Sequence, residues 1–305
     1  MLTVDICELD CIYLTYDEPN ADLFHAKIAA NIPWVKRVHG VEGSDAAHKA
    51  AAAASNTERF ILIDGDNIPD WEFFNQELRF EHEDQNRVFR WRARNAINGL
   101  CYGNGGISSW TKTFVEQMRT HENTDGSDET VVEFCFDDRY WAMHDVWSTT
   151  YPNQSPYHAW RAGFREGVKL CLNRGKRVDP VNFERDTWAG NRHNLEIWCS
   201  VGNDVDYGDW AIMGARYGAY KVMFDTDWDY TEVRDFNKLN NIYENFTSNI
   251  EDYVTPLTHR LGLDIVHLDP EQSAWFKRFQ RPYENIDIML READYRRVLR
   301  DAARR

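Results

Sequence analysis

Apolar and polar positions switch between two periods in the first third of the chain. Residues 11–15 (CIYLT) form a short apolar run that stops at the polar turn Tyr16-Asp17-Glu18-Pro19-Asn20. A helical stretch follows over about 21–31, and Pro33 punctuates it. Residues 34–39 (WVKRVH) alternate as a strand does. Residues 40–44 read as a loop, in which Ser44 is a good N-cap for an Ala-rich helix over 45–54. Residues 59–63 (RFILI) predict a buried strand that runs straight into Asp64. Strand, crossover helix, strand is a βαβ unit, which predicts parallel pairing and right-handed connections.

The middle of the chain has a different texture. Residues 87–94 (RVFRWRAR) alternate, so Arg90, Arg92 and Arg94 share one face and Phe89, Trp91 and Ala93 the other. Residues 98–110 are rich in glycine (Gly99, Gly103, Gly105, Gly106), and 120–130 (THENTDGSDET) read as a polar loop. Residues 155–172 read as a helix on which Arg161, Arg165 and Lys169 recur at i, i+4 and i+8, a basic stripe with Glu166 off it. From about 231 the pattern is mostly helical and charged and ends in a basic tail. No internal repeat or low-complexity linker breaks the chain. The boundary is placed near 230, with 231–305 as a helical appendage.

The net charge of −15 disfavours nonspecific nucleic-acid binding through an overall field and leaves room for a local basic groove. The 12 Trp, 14 Tyr and 16 Phe serve either a core or stacking on sugars and bases, and composition does not separate the two. Cysteines at 7, 11, 101, 135, 171 and 199 form no CxxC pair, which points to free thiols in a reducing cytosol. The first residues carry acids and no basic region before an apolar core, so they do not read as a signal peptide. No apolar run approaches the roughly 20 residues that span a bilayer. The expectation is a soluble, cytoplasmic protein with no membrane partner.

The turn Asp64-Gly65-Asp66-Asn67 carries the sharpest chemistry. In open α/β sheets, ligands bind at the carboxyl ends of strands, and this turn sits at such an end. Two carboxylates separated by one small residue can face the same cation, and Gly65 leaves room for a diphosphate. Hard oxygen ligands suit Mg²⁺ or Mn²⁺, which share coordination with substrate phosphates. The bland alternative is an ordinary Asp/Gly/Asn turn. The preceding strand and the βαβ unit favour the metal reading.

Several segments then resemble one family: Tyr16-Asp17-Glu18-Pro19-Asn20-Ala21, Lys36-Arg37-Val38-His39-Gly40-Val41, Ala47-His48-Lys49 and Ile63-Asp64-Gly65-Asp66-Asn67. So do Tyr102-Gly103-Asn104-Gly105-Gly106, Ala162-Gly163-Phe164-Arg165-Glu166-Gly167-Val168-Lys169 and Trp210-Ala211-Ile212-Met213-Gly214-Ala215-Arg216. Together they resemble GT-A-fold glycosyltransferases, most closely a group encoded by tailed bacteriophages. The resemblance implies a Rossmann-like α/β fold with a mixed, mainly parallel sheet flanked by helices. Residues 1–230 would be the GT-A domain, with 1–70 the nucleotide-binding half and 87–225 the sugar and acceptor half. Some phage members are implicated in glycosylating hydroxymethylated pyrimidines in DNA, including arabinosylation of 5-hydroxymethylcytosine. Double-stranded DNA with modified bases is therefore the acceptor the resemblance points to.

The same resemblance assigns Tyr16, Asp17 and Glu18 to the donor nucleoside, and Arg37, His48, Lys49 and Asp64 to the rest of a nucleotide-sugar donor such as a UDP-sugar. The N-terminal dipole of the Ser44-capped helix would face the donor phosphates. Asp64 and Asp66 would hold Mn²⁺ or Mg²⁺, with His144 a third ligand. Asp138 and Asp145 are candidates for the base that deprotonates the acceptor, with Asp137 beside them. The sugar and acceptor wall would draw on Arg90, Arg92, Arg94, Tyr102, Asn104, Gly105, Arg161 and Arg165. No "ED" motif of ordinary family-2 transferases is present. The competing readings are transfer to a protein or glycan, a nucleotidyltransferase, and a non-catalytic carbohydrate-binding protein. The nucleotidyltransferase would want a glycine-rich, lysine-bearing loop where Tyr16-Asp17-Glu18-Pro19 stands.

Overall fold

The computed structural model describes residues 1–103, 106–118, 120, 122, 137–246, 251–278 and 288–304, with backbone alone at 251–252 and 288–295. Those residues gather into two compact units. The first takes 1–95, 101–122 and 137–151, and the second 96–100 and 152–304. The main division thus falls between Tyr151 and Pro152, not near 230, because the helices over 156–224 pack with the C-terminal helices.

The first unit runs β1 (Leu2–Asp5), β2 (Asp10–Thr15), α1 (Ala21–Asn31), β3 (Lys36–His39), α2 (Ser44–Ala54), β4 (Arg59–Asp64), β5 (Asn67–Pro69), β6 (Glu77–Phe80), β7 (Val88–Asn95), β8 (Ile107–Thr111), α3 (Lys112–Gln117) and β9 (Tyr140–Thr150). β1 and β6 form a separate antiparallel pair. The other seven strands form one sheet in the order β3-β2-β4-β8-β7-β9-β5. Three neighbouring pairs are parallel (β2/β3, β2/β4, β7/β9) and three antiparallel (β4/β8, β7/β8, β5/β9). The expected mainly parallel sheet is therefore evenly mixed. Its βαβ start is parallel as expected, but β8 is inserted antiparallel between β4 and β7.

β4 is apolar along its length because both of its faces are covered. Phe60 and Leu62 pack in one cluster with Ala51 and Ala52 of α2 and Phe114 and Val115 of α3. Ile61 and Ile63 pack in the other with Phe24 and Ile28 of α1, Phe73 and Trp91. Each of the Phe, Leu, Ile and Val side chains contributes roughly 1.5–3 kcal/mol by leaving water. The β3 strand is two residues shorter than the alternation predicts, because Val35 N bonds back to Ile32 O in the turn after α1.

The second unit contains α4 (Pro156–Leu170), α5 (Phe183–Asp186), α6 (Ala189–Trp198), α7 (Gly208–Phe224), α8 (Phe236–Glu244), α9 (Glu251–Leu261), α10 (Pro270–Lys277) and α11 (Ile288–Ala303). α4 and α7 meet backbone to backbone. Gly163 and Gly167 lie on the Ala211 and Ala215 carbonyls, and Gly214 and Gly218 on those of Trp160 and Phe164. α6 packs against α4, α7 and α11. Its buried Glu196 accepts from Arg296 of α11 (2.9 Å) and from Asp264 N (2.8 Å). Among the described residues, no helix is long and apolar enough to cross a membrane. Cys7, Cys11, Cys101, Cys171 and Cys199 are free thiols; Cys135 lies outside the described residues.

Candidate functional site

β2 and β4 are adjacent and parallel, with Leu14 opposite Asp64. The loops that follow them, 16–20 and 64–67, therefore leave the sheet side by side at its carboxyl edge. β3 brings His39 to the same edge, opposite Thr15. Glu18 folds back over its own loop. Its Oε2 accepts from Tyr16 N at 2.7 Å, and its carboxyl group rests on Gly65, where a Cβ would lie 2.6 Å from Glu18 Cδ. From below, the buried Tyr13 donates its hydroxyl to Gly65 O at 2.7 Å and stacks on His25. Gly65 is needed for this close approach, since any side chain would displace Glu18.

Asp66 is held on several sides. Asn67 Nδ2 donates to its Oδ1 at 2.7 Å, Thr150 Oγ1 donates to its Oδ2 at 3.0 Å, and Tyr151 N donates to its main-chain oxygen at 2.7 Å. Asn67 is itself fixed: its Oδ1 accepts from Ser148 Oγ at 2.9 Å, and its amide lies against Gly106. Gly106 has a φ of +79° and its carbonyl accepts from Asp64 N at 2.8 Å.

The electrostatics are lopsided. No hydrogen bond reaches the Asp64 carboxylate among the described residues. Loss of hydration, then the negative charges of Asp66 and Glu18, push its carboxyl up to about 8. The Asp64 residue still reaches solvent at the strand end, and water there screens that shift. Glu18 is also raised, by desolvation first, with Asp66 and Asp17 adding to the shift and the Tyr16 N–H opposing it. Three carboxylates around one glycine leave a deficit of positive charge.

The donor chemistry fits a hard divalent ion. Among the described residues no group of three His, Cys, Asp or Glu is gathered as a metal cage. Mg²⁺ and Mn²⁺ do not require one, because one or two carboxylates, water and phosphate oxygens complete their shell. The Asp66 carboxylate accepts from Asn67 and Thr150, and a carboxylate offers about four lone-pair sites in all.

Beside the acidic turn, Thr15 Oγ1 meets His39 Nδ1 at 2.8 Å and accepts from Arg37 Nε at 3.2 Å. Arg37 also pairs with Asp22 at 2.6 Å. Tyr16 and Asp17 are exposed on the loop after β2. The start of α2 differs from expectation. Gly43 is the N-cap, and the first amides, Ser44 N and Asp45 N, bond the Glu122 carboxylate at 2.6 and 2.9 Å. His48 is turned into the core: Nδ1 meets Ser44 O at 2.8 Å, its ring packs edge-on against Trp110, and burial lowers its pKa. Lys49 pairs with Asp45 at 2.6 Å. His48 and Lys49 are therefore committed within the α2 region.

The other predicted residues do not join this cluster. His144 and Asp145 are exposed on β9, six and five residues before Thr150; β9 is bulged there, its residues 142–150 facing only 90–95 of β7, which leaves them roughly 10–15 Å from Thr150 along the strand. His144 Nδ1 lies instead beside Arg92 Nη2 at 3.4 Å. Asp138 is exposed in the turn at the opposite end of β9, where its main-chain oxygen accepts from Arg87, and Asp137 pairs with Arg139. Arg90, Arg92 and Arg94 do share a face of β7 as the alternation predicts, with Arg90 stacked 4.6 Å over Tyr140. Tyr102 is half-buried in the loop before β8, and Asn104 and Gly105 lie outside the described residues, as does most of 120–130. In the second unit Arg161 and Arg165 stack over Phe236 at 4.1 and 5.4 Å, and Lys169 faces Glu166 at 4.0 Å. That stripe packs against α8.

Tyr13, Ser148, Thr150 and Tyr151 complete the site and were not singled out from sequence. Only Tyr13 carried a local signal, as the one aromatic in the apolar run before the turn. No family model, curated protein or solved structure matches this chain.

Proposed function

We propose that this chain transfers a sugar from a nucleotide-sugar donor to an acceptor hydroxyl, with Mn²⁺ or Mg²⁺ at the acidic turn. The observation that carries the reading is the convergence of Glu18, Asp64 and Asp66 at the carboxyl ends of two adjacent parallel strands. Such an edge is where α/β sheets take ligands, and the local charge calls for a cation. When bound, the ion would offset charge on the departing nucleoside diphosphate.

The chain's own groups divide the remaining work. Asp64 and Asp66 would hold the ion. Glu18, braced by the Tyr16 amide, would accept from ribose hydroxyls, and the exposed Tyr16 ring would stack on the base. Arg37 would turn from the exposed Asp22 to the diphosphate. Asp138, Asp145 and His144 are not carried forward as base or ligand, because they lie along β9 away from the turn. For the acceptor we propose hydroxymethylated pyrimidines in DNA, for which the Arg90/Arg92/Arg94 face offers phosphate contacts.

The test is thermal shift of the full chain with a panel of nucleotide sugars, with and without Mn²⁺. At least one donor should raise the melting temperature only when Mn²⁺ is present, and Asp66→Asn should abolish the shift. No response to any donor would end the transferase reading. Transfer of labelled sugar to hydroxymethylated but not unmodified DNA supports that acceptor; transfer to protein or glycan alone rejects it.

A further inference from the structure

The two aspartates of the acidic turn are built into the fold in different ways. Asp64 is the last residue of β4, and among the described residues its carboxylate receives no hydrogen bond. Asp66 is gripped on both oxygens, by Asn67 Nδ2 and by Thr150 Oγ1. The grip is itself backed by a second tier. Asn67 is 2 % exposed and Ser148 is 5 % exposed, and the Ser148 hydroxyl orients the Asn67 amide so that its Nδ2 faces Asp66. A Cβ at Gly106 would run into that amide, so the glycine leaves the space in which Asn67 lies. Thr150 in turn is set by the β5/β9 register, in which it stands opposite Asn67, and by the Tyr151 N–H to Asp66 O bond next to it.

We infer that Thr150 and Asn67 are positioning residues that lock the Asp66 carboxylate in the orientation used for the divalent cation, with Ser148 and Gly106 fixing Asn67. The inference rests on the proposed metal site. Groups that donate to a ligating carboxylate fix its rotamer and keep it ready for the ion, and removing one such partner typically weakens metal binding about 10–100-fold. The division of labour follows. Asp66 is the pre-aimed ligand, and Asp64 is the free one that adjusts when the ion and its phosphate arrive. Of the two locking residues Thr150 gives the cleaner test, since Thr and Val have nearly the same shape and differ by the hydroxyl.

The experiment is titration of the full chain with Mn²⁺ alone, counting free ion by electron paramagnetic resonance, for wild type, Thr150→Val, Thr150→Ser and Asp66→Asn. Melting temperature is measured on each variant. The expected result is a Kd for Mn²⁺ raised about tenfold or more in Thr150→Val and within about threefold of wild type in Thr150→Ser, with the melting temperatures of both close to wild type. A purely structural role for Thr150 would lower the melting temperature and leave the Kd unchanged. Wild-type affinity in Thr150→Val beside lost binding in Asp66→Asn overturns the positioning role and leaves the metal site standing. Equal losses in Thr150→Val and Thr150→Ser overturn it as well, because the hydroxyl would then not be the operative group. Unchanged binding in all three variants, or none by wild type, removes the metal site and the positioning role together.

Discussion

Asp64 and Asp66 are one residue apart, and what surrounds each gives it a different cost. Asp64 has its pKa raised from 3.8 to about 8, so between those values the folded chain holds a proton that the unfolded chain has released. Its contribution to stability is therefore full below pH 4 and is lost as pH rises towards 8. Asp64→Asn removes the penalty, which solvent at the exposed strand end screens: the melting temperature of the free protein should rise slightly at pH 8 and by less at pH 5. The same variant should lose the Mn²⁺-dependent shift. A flat difference across pH would show that Asp64 is not destabilised by its neighbours. Gly106→Ala should do the opposite, since φ is +79° and the new methyl group meets Asn67. A loss on the order of 1–3 kcal/mol in denaturant unfolding is expected there.

At the scale of elements, what the sequence made legible followed from how local the cause was. β4 could be read because both of its faces are buried, leaving an uninterrupted apolar run. α1 matches its predicted span because Phe24 and Ile28 recur on one face. The arginine face of β7 followed from alternation alone. The direction of β8 could not be read: ISSWT is short and polar at three positions, and its pairing depends on chain returning from far away. Thr150 was out of reach for a similar reason, because it meets Asp66 from 84 residues along the chain. Likewise nothing local announces that Glu122 caps α2 from 78 residues away. The α4/α7 pair gives a sharp test at this scale. Gly163 lies against the Ala211 carbonyl, so Gly163→Leu should force the helices apart and cost upwards of about 3 kcal/mol, read as a lowered urea midpoint.

Across the whole molecule, the two units should answer acid in opposite senses. His193 in α6 is buried, and desolvation, with the positive charge of Arg296, lowers its pKa from 6.5 to about 3. The unfolded chain binds that proton first, so the contribution is full above pH 6.5 and lost as pH falls towards 3. Asp64 in the first unit runs the other way. Lowering pH from 8 to 5 should increase protection around 59–64 and, through His193, decrease it in 189–198 against the opposite pull of Glu196, whose carboxyl burial raises, measured by hydrogen exchange with mass spectrometry and corrected for intrinsic rates. His193→Gln should flatten the second response alone.

The position of β5 in the sheet has a consequence of its own. β4 and β5 are joined by only Gly65 and Asp66, a reach of at most about 11 Å from Asp64 to Asn67. In the sheet they are separated by β8, β7 and β9, a path of four strand spacings or about 19 Å if it were flat. The sheet must therefore curl until its middle and one margin nearly touch, and the acidic turn is the clasp that holds them. A cation seated there would act on that clasp as a whole. Ion binding should slow amide exchange together in 67–69, 107–111 and 148–150, of which the first and last are paired strands and 107–111 comes near them only because the ribbon is buckled shut.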